Sequence, residues 1–261
     1  MRTPFPDRAR PARAGLRRSF DIYYRDRART LRMDRLNAEC VAPGGLVFDI
    51  GAHVGDRTGS FLRLGAQVVA LEPQPMAFRA VQRLYGRCPR ATLYAVAAGA
   101  RAGEVDLLLN SANPTVATIA PAFPAAASGA PGWEGQVWDD RVRVPVTTLD
   151  ALIAAHGVPD FVKIDVEGHE AEVLNGLSVA LPCVSFEVTM IQRDVALACL
   201  ARLGRLGRYV FNLSLGERHA LHLPEWVDAA TMAAQILDLP DAANSGDVYA
   251  RLWSDPDPGC D

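Results

Sequence analysis

The sequence predicts one doubly wound α/β domain: a mostly parallel sheet covered by helices on both faces, with an antiparallel strand at its edge. Three observations carry this. From about residue 46 onward, short apolar runs alternate with segments of helical period, the pattern of consecutive βαβ units. The runs are apolar throughout, as strands buried on both faces require. The chain has 261 residues, 49% hydrophobic and 22% charged, the size and composition of a single large globular domain.

In chain order, residues 1–18 hold six arginines and three prolines and read as a solvated, disordered basic arm. Ile22, Leu31, Met33 and Leu36 then recur among charges, which predicts a helical extension over 19–43 packed on the edge of the main domain. That domain spans 44–254, leaving 255–261 as a tail. Strands are predicted at 46–50, 68–71, 92–96, 161–165 and 183–187, and helices at 56–65, 75–86, 148–156, 169–177 and 193–204. Two late strands, 209–213 and 247–252, follow the last regular crossover, and one of them supplies the antiparallel edge. Segments 104–109 and 141–146 read as a strand pair. Between them, 110–140 is rich in Pro, Gly, Ala and Ser, with Trp133 and Trp138 near its end. A loop this long is either a lid over a site or a plain insertion.

Composition excludes several classes. The net charge of −3 argues against nucleic acid as a partner. No apolar run approaches the roughly 18 residues that span a bilayer, so no membrane partner is expected. The N-terminal arginines lead into no apolar segment, unlike a secretory signal. Cys40, Cys88, Cys183, Cys199 and Cys260 are odd in number, widely spaced and form no CxxC. Neither a zinc site nor a disulfide framework is expected, which fits a cytoplasmic protein. The oligomeric state is not legible.

The densest signal is Asp49-Ile-Gly51-Ala52-His53-Val-Gly55-Asp-Arg-Thr58, directly after the first strand. Glycines there permit a tight turn and close approach to a ligand at the carboxyl end of a central strand. The spacing is GxxxG, without the middle glycine that a dinucleotide pyrophosphate favours. The second strand ends in Glu72-Pro73, where a carboxylate can accept both hydroxyls of a ribose. Together these point to an adenosine-type ligand without a pyrophosphate. Ala97, just past the third strand, completes the candidate cofactor set of Asp49, Gly51, Ala52, His53, Gly55, Thr58, Glu72 and Pro73.

The runs Val47-Phe-Asp-Ile-Gly-Ala-His-Val-Gly55, Glu72-Pro73, Val144-Pro-Val-Thr-Thr-Leu-Asp150 and Val162-Lys-Ile-Asp-Val-Glu-Gly-His-Glu170 resemble the FkbM-type methyltransferases. Gly246-Asp247-Val248 resembles the closing strand of that family. The resemblance runs from about Leu46 to Leu252. It implies a Rossmann-like class I methyltransferase sheet, S-adenosylmethionine as cofactor, and methyl transfer to a hydroxyl of a small molecule, a sugar or a polyketide-like compound. His53 departs from the pattern, in which asparagine is common.

Asp165, Glu167, His169, Glu170 and Glu172 crowd the end of the fourth strand, and Glu187 lies on the fifth. Glu170 and Glu172 fall in the first turn of a helix, where the macrodipole favours negative charge, and read as structural. Asp165 and Glu187 end buried strands, where a carboxylate needs a partner or a use. Lys163, the single lysine of the chain, points to the same side as Asp165 and reads as a neutralising ion pair for Asp49, Asp165 or Glu187. His169, with Asp165 and Glu187, is the catalytic set. The imidazole, mostly neutral near pH 7, would take the acceptor's proton; in the alternative, His169 caps the helix and Asp165 serves as base or metal ligand. A Mg²⁺ ion on Asp165, Glu167 and Glu187 is a secondary reading. His156, His219 and His222 read as surface residues, and Ser185 lacks the elbow of a serine hydrolase.

Three functions therefore compete. The leading one is a small-molecule O-methyltransferase. A nucleotide-dependent oxidoreductase is disfavoured by the GxxxG spacing. A catalytically silent S-adenosylmethionine-binding scaffold is disfavoured by the intact acidic cluster. Methylation of protein or RNA carries low weight, given the near-neutral charge.

Overall fold

The computed structural model describes residues 9–253. In order, the elements are α1 (Ala9–Arg25), α2 (Arg27–Asn37), β1 (Leu46–Ile50), α3 (Asp56–Arg63), β2 (Gln67–Leu71), α4 (Pro75–Tyr85), β3 (Ala91–Tyr94), β4 (Ala97–Ala98), β5 (Gly103–Leu109), α5 (Phe123–Ala127), β6 (Asp140–Thr147), α6 (Leu149–His156), β7 (Phe161–Ile164), α7 (Glu170–Asn175), β8 (Cys183–Thr189), α8 (Arg193–Leu206), β9 (Tyr209–Leu215), α9 (Ala229–Asp238) and β10 (Ser245–Leu252).

Seven strands form the main sheet in the order β3-β2-β1-β7-β8-β10-β9. The pairs from β3 to β8 are parallel, and β10 runs antiparallel to both β8 and β9. The antiparallel strand thus lies one place in from the edge, and β9 is outermost. The order reverses between β1 and β7, which opens a crevice at the carboxyl ends of the strands, where doubly wound sheets bind ligands. A second sheet, β4-β6-β5, is the expected strand pair joined by two residues of β4.

Strand residues alternate between two cores. Phe48 and Ile50 of β1 pack in the core with Leu149, Val173, Leu174, Leu203 and Met232, beneath α6 to α9. Val47 packs on the other face with Leu36, Phe61 and Tyr249, beneath α2 and α3. Helix starts follow local chemistry. The Asp26 side chain accepts from the amides of Ala28 and Arg29 and starts α2. Pro75 opens α4, where its missing N–H is harmless. Thr148 accepts from Ala151 N at 3.1 Å and caps α6.

Three expectations change. Of the supposed disordered arm, residues 1–8 lie outside the described residues, but from Ala9 on the chain is helical. The extension is two helices broken at Asp26, and it packs on α3 and lines the cavity with Tyr23 and Arg29. Cys40, just past α2, and Cys183, at the start of β8, form a disulfide across 143 residues of sequence. Sequence spacing carries no information about such a long-range pairing. The expected tail 255–261 lies outside the described residues. Among the described residues, no helix is long and apolar enough to cross a membrane.

Residues 110–140 are ordered by their own small core of Val116, Ala120, Phe123, Ala127 and Trp133. Phe123 sits edge-on to Trp133, and Trp138 Nε1 donates to Val116 O at 2.8 Å. Thr118 Oγ1 donates to Glu167 O at 2.7 Å, tying this cover to the loop after β7.

Candidate active site

A cavity of about 860 Å³, including its mouth, opens at the strand-order reversal. Gly51, Ala52 and His53 form one wall, Glu72 and Pro73 another, and Asp165 to Glu167 the floor. Ala97 and Ala98 line it beside Leu107, Ala117 and Ile119, so the cover closes an apolar slot at this end.

The glycine loop is built from backbone constraints. Gly51 has φ +87°, and a Cβ there would come within 1.8 Å of Asp165 O. The loop amides are already committed: Gly51 N and Ala52 N donate to Leu71 O, and Gly55 N to Ala52 O. His53 N donates to Glu72 Oε2 at 2.7 Å. Gly55, with φ +82°, starts α3 and packs its Cα against the Tyr85 ring.

Of the candidate cofactor residues, Gly51, Ala52, His53, Glu72, Pro73 and Ala97 line the cavity. Asp49, Gly55 and Thr58 do not. They lie behind the loop, where Thr58 Oγ1 donates to Asp49 Oδ2. Burial pushes the Asp49 carboxyl up to about 6, against the Thr58 bond and the Lys163 charge. Glu72 receives the amides of His53 and Gln74, yet burial pushes its carboxyl up to about 8. Burial holds the His53 imidazole down at about 4, so it is neutral, with Nε2 2.9 Å from Ser19 Oγ.

The acidic cluster is real, but its histidine is elsewhere. Asp165, Glu167 and Glu187 offer oxygens within 4.8 Å of one another, a spacing that suits hard-cation ligands. Burial, reinforced by neighbouring carboxylates, drives the Glu167 and Glu187 carboxyls well above their usual range. Glu187 does not line the cavity, and its Oε2 is buried without a partner. His169 faces a separate surface depression with Gly99, Val146 and Glu172, so it is not brought to the site as expected. The cause is local: Glu167 and Gly168 both take positive φ, +55° and +90°, and turn the chain before His169, which becomes the N-cap residue of α7. Glu170 fixes this turn, its Oε1 accepting from Val166 N at 2.9 Å and Gly168 N at 3.3 Å. The structural reading of Glu170 thereby gains a partner.

Lys163 reaches Asp165 Oδ2 and Asp247 Oδ1, both at 2.9 Å. Asp247, on β10, was not foreseen as its partner. It also accepts from Arg57 Nη2 at 3.2 Å. Arg57 Nη1 lies 3.0 Å from His219 Nδ1, and His219 Nε2 lies 3.0 Å from Glu217. His219 is thus buried in a charged network, not on the surface. Burial lowers its pKa. The far end of the cavity carries the charged Arg29, Asp56, Arg57 and Glu217, with Tyr23 beside them. Sequence reading named none of them as site residues: Arg29 stands in an arginine-rich helix with no local mark of a site, and Glu217 lies 188 residues further along the chain.

Among solved structures, the chain is similar to a TehB-like SAM-dependent methyltransferase from Corynebacterium glutamicum (11% identity, 94% of this chain and 99% of that one, TM-score 0.47). It is also similar to the C-terminal domain of a precorrin-6Y C5,15-methyltransferase from Rhodobacter capsulatus (13% identity, 85% and 87%, TM-score 0.41). In sequence it is 29% identical over 163 residues to the hexuronic acid methyltransferase AglP of Haloferax volcanii, a match covering 62% of each chain. The family model of the methyltransferase FkbM domain matches residues 49–206, more than half of the chain and every strand that lines the crevice, and the chain belongs to that family.

Proposed function

We propose that this protein transfers a methyl group from S-adenosylmethionine to a hydroxyl of a small molecule of the sugar or polyketide-like class. One observation carries the reading: a single cavity joins Glu72 beside the glycine loop to Asp165 and Glu167 on its floor. The donor set fits the cofactor. Glu72 suits two ribose hydroxyls, and the slot by Ala97, Leu107 and Ile119 suits a base. When bound, S-adenosylmethionine supplies an electrophilic methyl on a sulfonium. The chain supplies position and proton removal. Lys163 holds Asp165 Oδ2, leaving Oδ1 as the oxygen that accepts the proton of the acceptor hydroxyl. Burial pushes the neighbouring Glu167 and Glu187 carboxyls above their usual range. The resemblance to a hexuronic acid methyltransferase supports a carbohydrate acceptor.

The test is turnover with a panel of sugars and hydroxylated natural products, read as S-adenosylhomocysteine release and as the O-methyl signal of the product. Binding of S-adenosylhomocysteine with no turnover on any acceptor would favour the silent scaffold. Loss of turnover in EDTA, restored by Mg²⁺, would move proton removal to a cation on Asp165, Glu167 and Glu187.

A further inference from the structure

We infer that Arg29, on the helical extension ahead of the family domain, binds the carboxylate of the cofactor's amino-acid tail, with Asp56 and Glu217 beside it to receive the ammonium. This rests on the cofactor reading above and extends the site to a segment outside the family match.

A nucleoside whose ribose lies on Glu72 has two directions open to it. One leads to the apolar slot of Ala97, Leu107 and Ile119, and the other to Tyr23, Arg29, Asp56, Arg57 and Glu217. The base takes the first, because an unpaired zwitterion there would be costly. The tail takes the second. Arg29 and Arg57 are the cations lining the cavity, since His53 is neutral.

The two arginines differ in how their partners are held. Arg57 is engaged by Asp247 and His219, both buried and both fixed in the network that ends on Lys163. Arg29 is also buried, its side chain 5% exposed. Its Nη2 donates to Asp56 Oδ2 at 2.9 Å, its Nε to Glu217 Oε2 at 2.9 Å, and its Nη1 to Tyr23 O at 3.2 Å. Glu217 is the movable partner. Its side chain is 46% exposed, its Oε2 also meets Arg29 Nη2 and His219 Nε2, and it stands on a one-turn 3-10 segment, Gly216–Arg218, that begins at left-handed Gly216 and is followed by left-handed His219. Withdrawal of Glu217 frees the Nε/Nη2 edge of the guanidinium, the fork that pairs with a carboxylate. One carboxylate is exchanged for another, so Arg29 is never left unpaired. The displaced Glu217 and the fixed Asp56 then face the ammonium.

The test compares ligands that differ only in the tail. S-adenosylhomocysteine, its decarboxylated analogue and 5′-methylthioadenosine would be titrated calorimetrically into wild type, Arg29→Lys and Arg29→Met. Wild type should bind S-adenosylhomocysteine about 10- to 100-fold more tightly than either truncated ligand, the range for charged hydrogen bonds. Arg29→Met should remove that advantage and leave 5′-methylthioadenosine affinity unchanged, with Arg29→Lys between the two. Equal losses for all three ligands, as a purely structural Arg29 would give, or no loss for any, overturn the inference while leaving the cofactor reading standing. Should Arg29→Met not fold, wild type and Arg29→Lys decide: equal wild-type affinity for S-adenosylhomocysteine and its decarboxylated analogue overturns it. Wild type that binds no ligand refutes the cofactor reading itself, and this inference with it.

Discussion

Replacing Glu72 by glutamine should remove a pH dependence of cofactor binding that the structure builds in. In the ligand-free protein, burial pushes the Glu72 carboxyl up to about 8. Ribose hydroxyls donate to a carboxylate more strongly than to a carboxylic acid, so binding favours the ionised form and expels the proton. The sign follows: affinity rises with pH and levels off above about 8. At pH 6 a group of pKa about 8 is ionised to about 1%, so the apparent Kd should be weaker by up to about 100-fold, or roughly 2.7 kcal/mol. Glu72→Gln has no proton to release. It also turns an amide NH₂ toward the backbone N–H of His53 or Gln74, both of which now donate to Glu72 at 2.7 Å. The unsatisfied donor and the lost charge should cost about 1.5–3 kcal/mol of affinity at pH 8. The assay is calorimetric titration with S-adenosylhomocysteine at pH 6, 7 and 8, in two buffers of different ionisation heat, so that proton release is counted directly. A flat wild-type profile, or the same slope in wild type and Glu72→Gln, would refute the reasoning.

Three further outcomes are expected. Asp165→Asn should lower kcat by about 10²- to 10⁴-fold with S-adenosylhomocysteine affinity nearly unchanged, whereas His169→Ala should leave kcat close to wild type; steady-state kinetics on one acceptor checks both. Lys163→Met should destabilise the fold by about 3 kcal/mol, because Asp165 and the buried Asp247 lose their shared cation; urea unfolding should show part of the loss recovered in Lys163→Met/Asp247→Asn. Gly51→Ala should abolish cofactor binding even where the protein folds, since its Cβ would sit 1.8 Å from Asp165 O on a φ of +87°; binding that survives at near-normal affinity would contradict the loop geometry.

The strand–helix alternation, the 104–109 and 141–146 pair and the Gly51/Glu72 pairing were legible because each is local, a period or a motif within a few residues. The failures are all long-range or conformational. His169 follows the motif acids closely, and nothing in residue identity announces that Glu167 adopts a left-handed backbone, which is uncommon for a non-glycine residue. Asp247 meets Lys163 only because β10 folds back beside β8. Arg29 meets Glu217 across 188 residues. Cys40 and Cys183 are likewise joined by topology. Asp49 and Thr58 belong to the motif, but the tight turn at Gly51 leaves them behind the wall, where they brace it.

The place of β10 between β8 and β9 has a consequence for how the chain is made. Strand β8 (Cys183–Thr189) keeps an open hydrogen-bonding edge from its own synthesis until residues 245–252 have emerged from the ribosome, so the nascent protein carries an adhesive β-edge over that interval. Lys163 lacks one of its two acids for the same interval. The sheet and the charge balance of the site are completed by one late insertion, and any premature stop before Ser245 should give an aggregating product in place of a shortened enzyme.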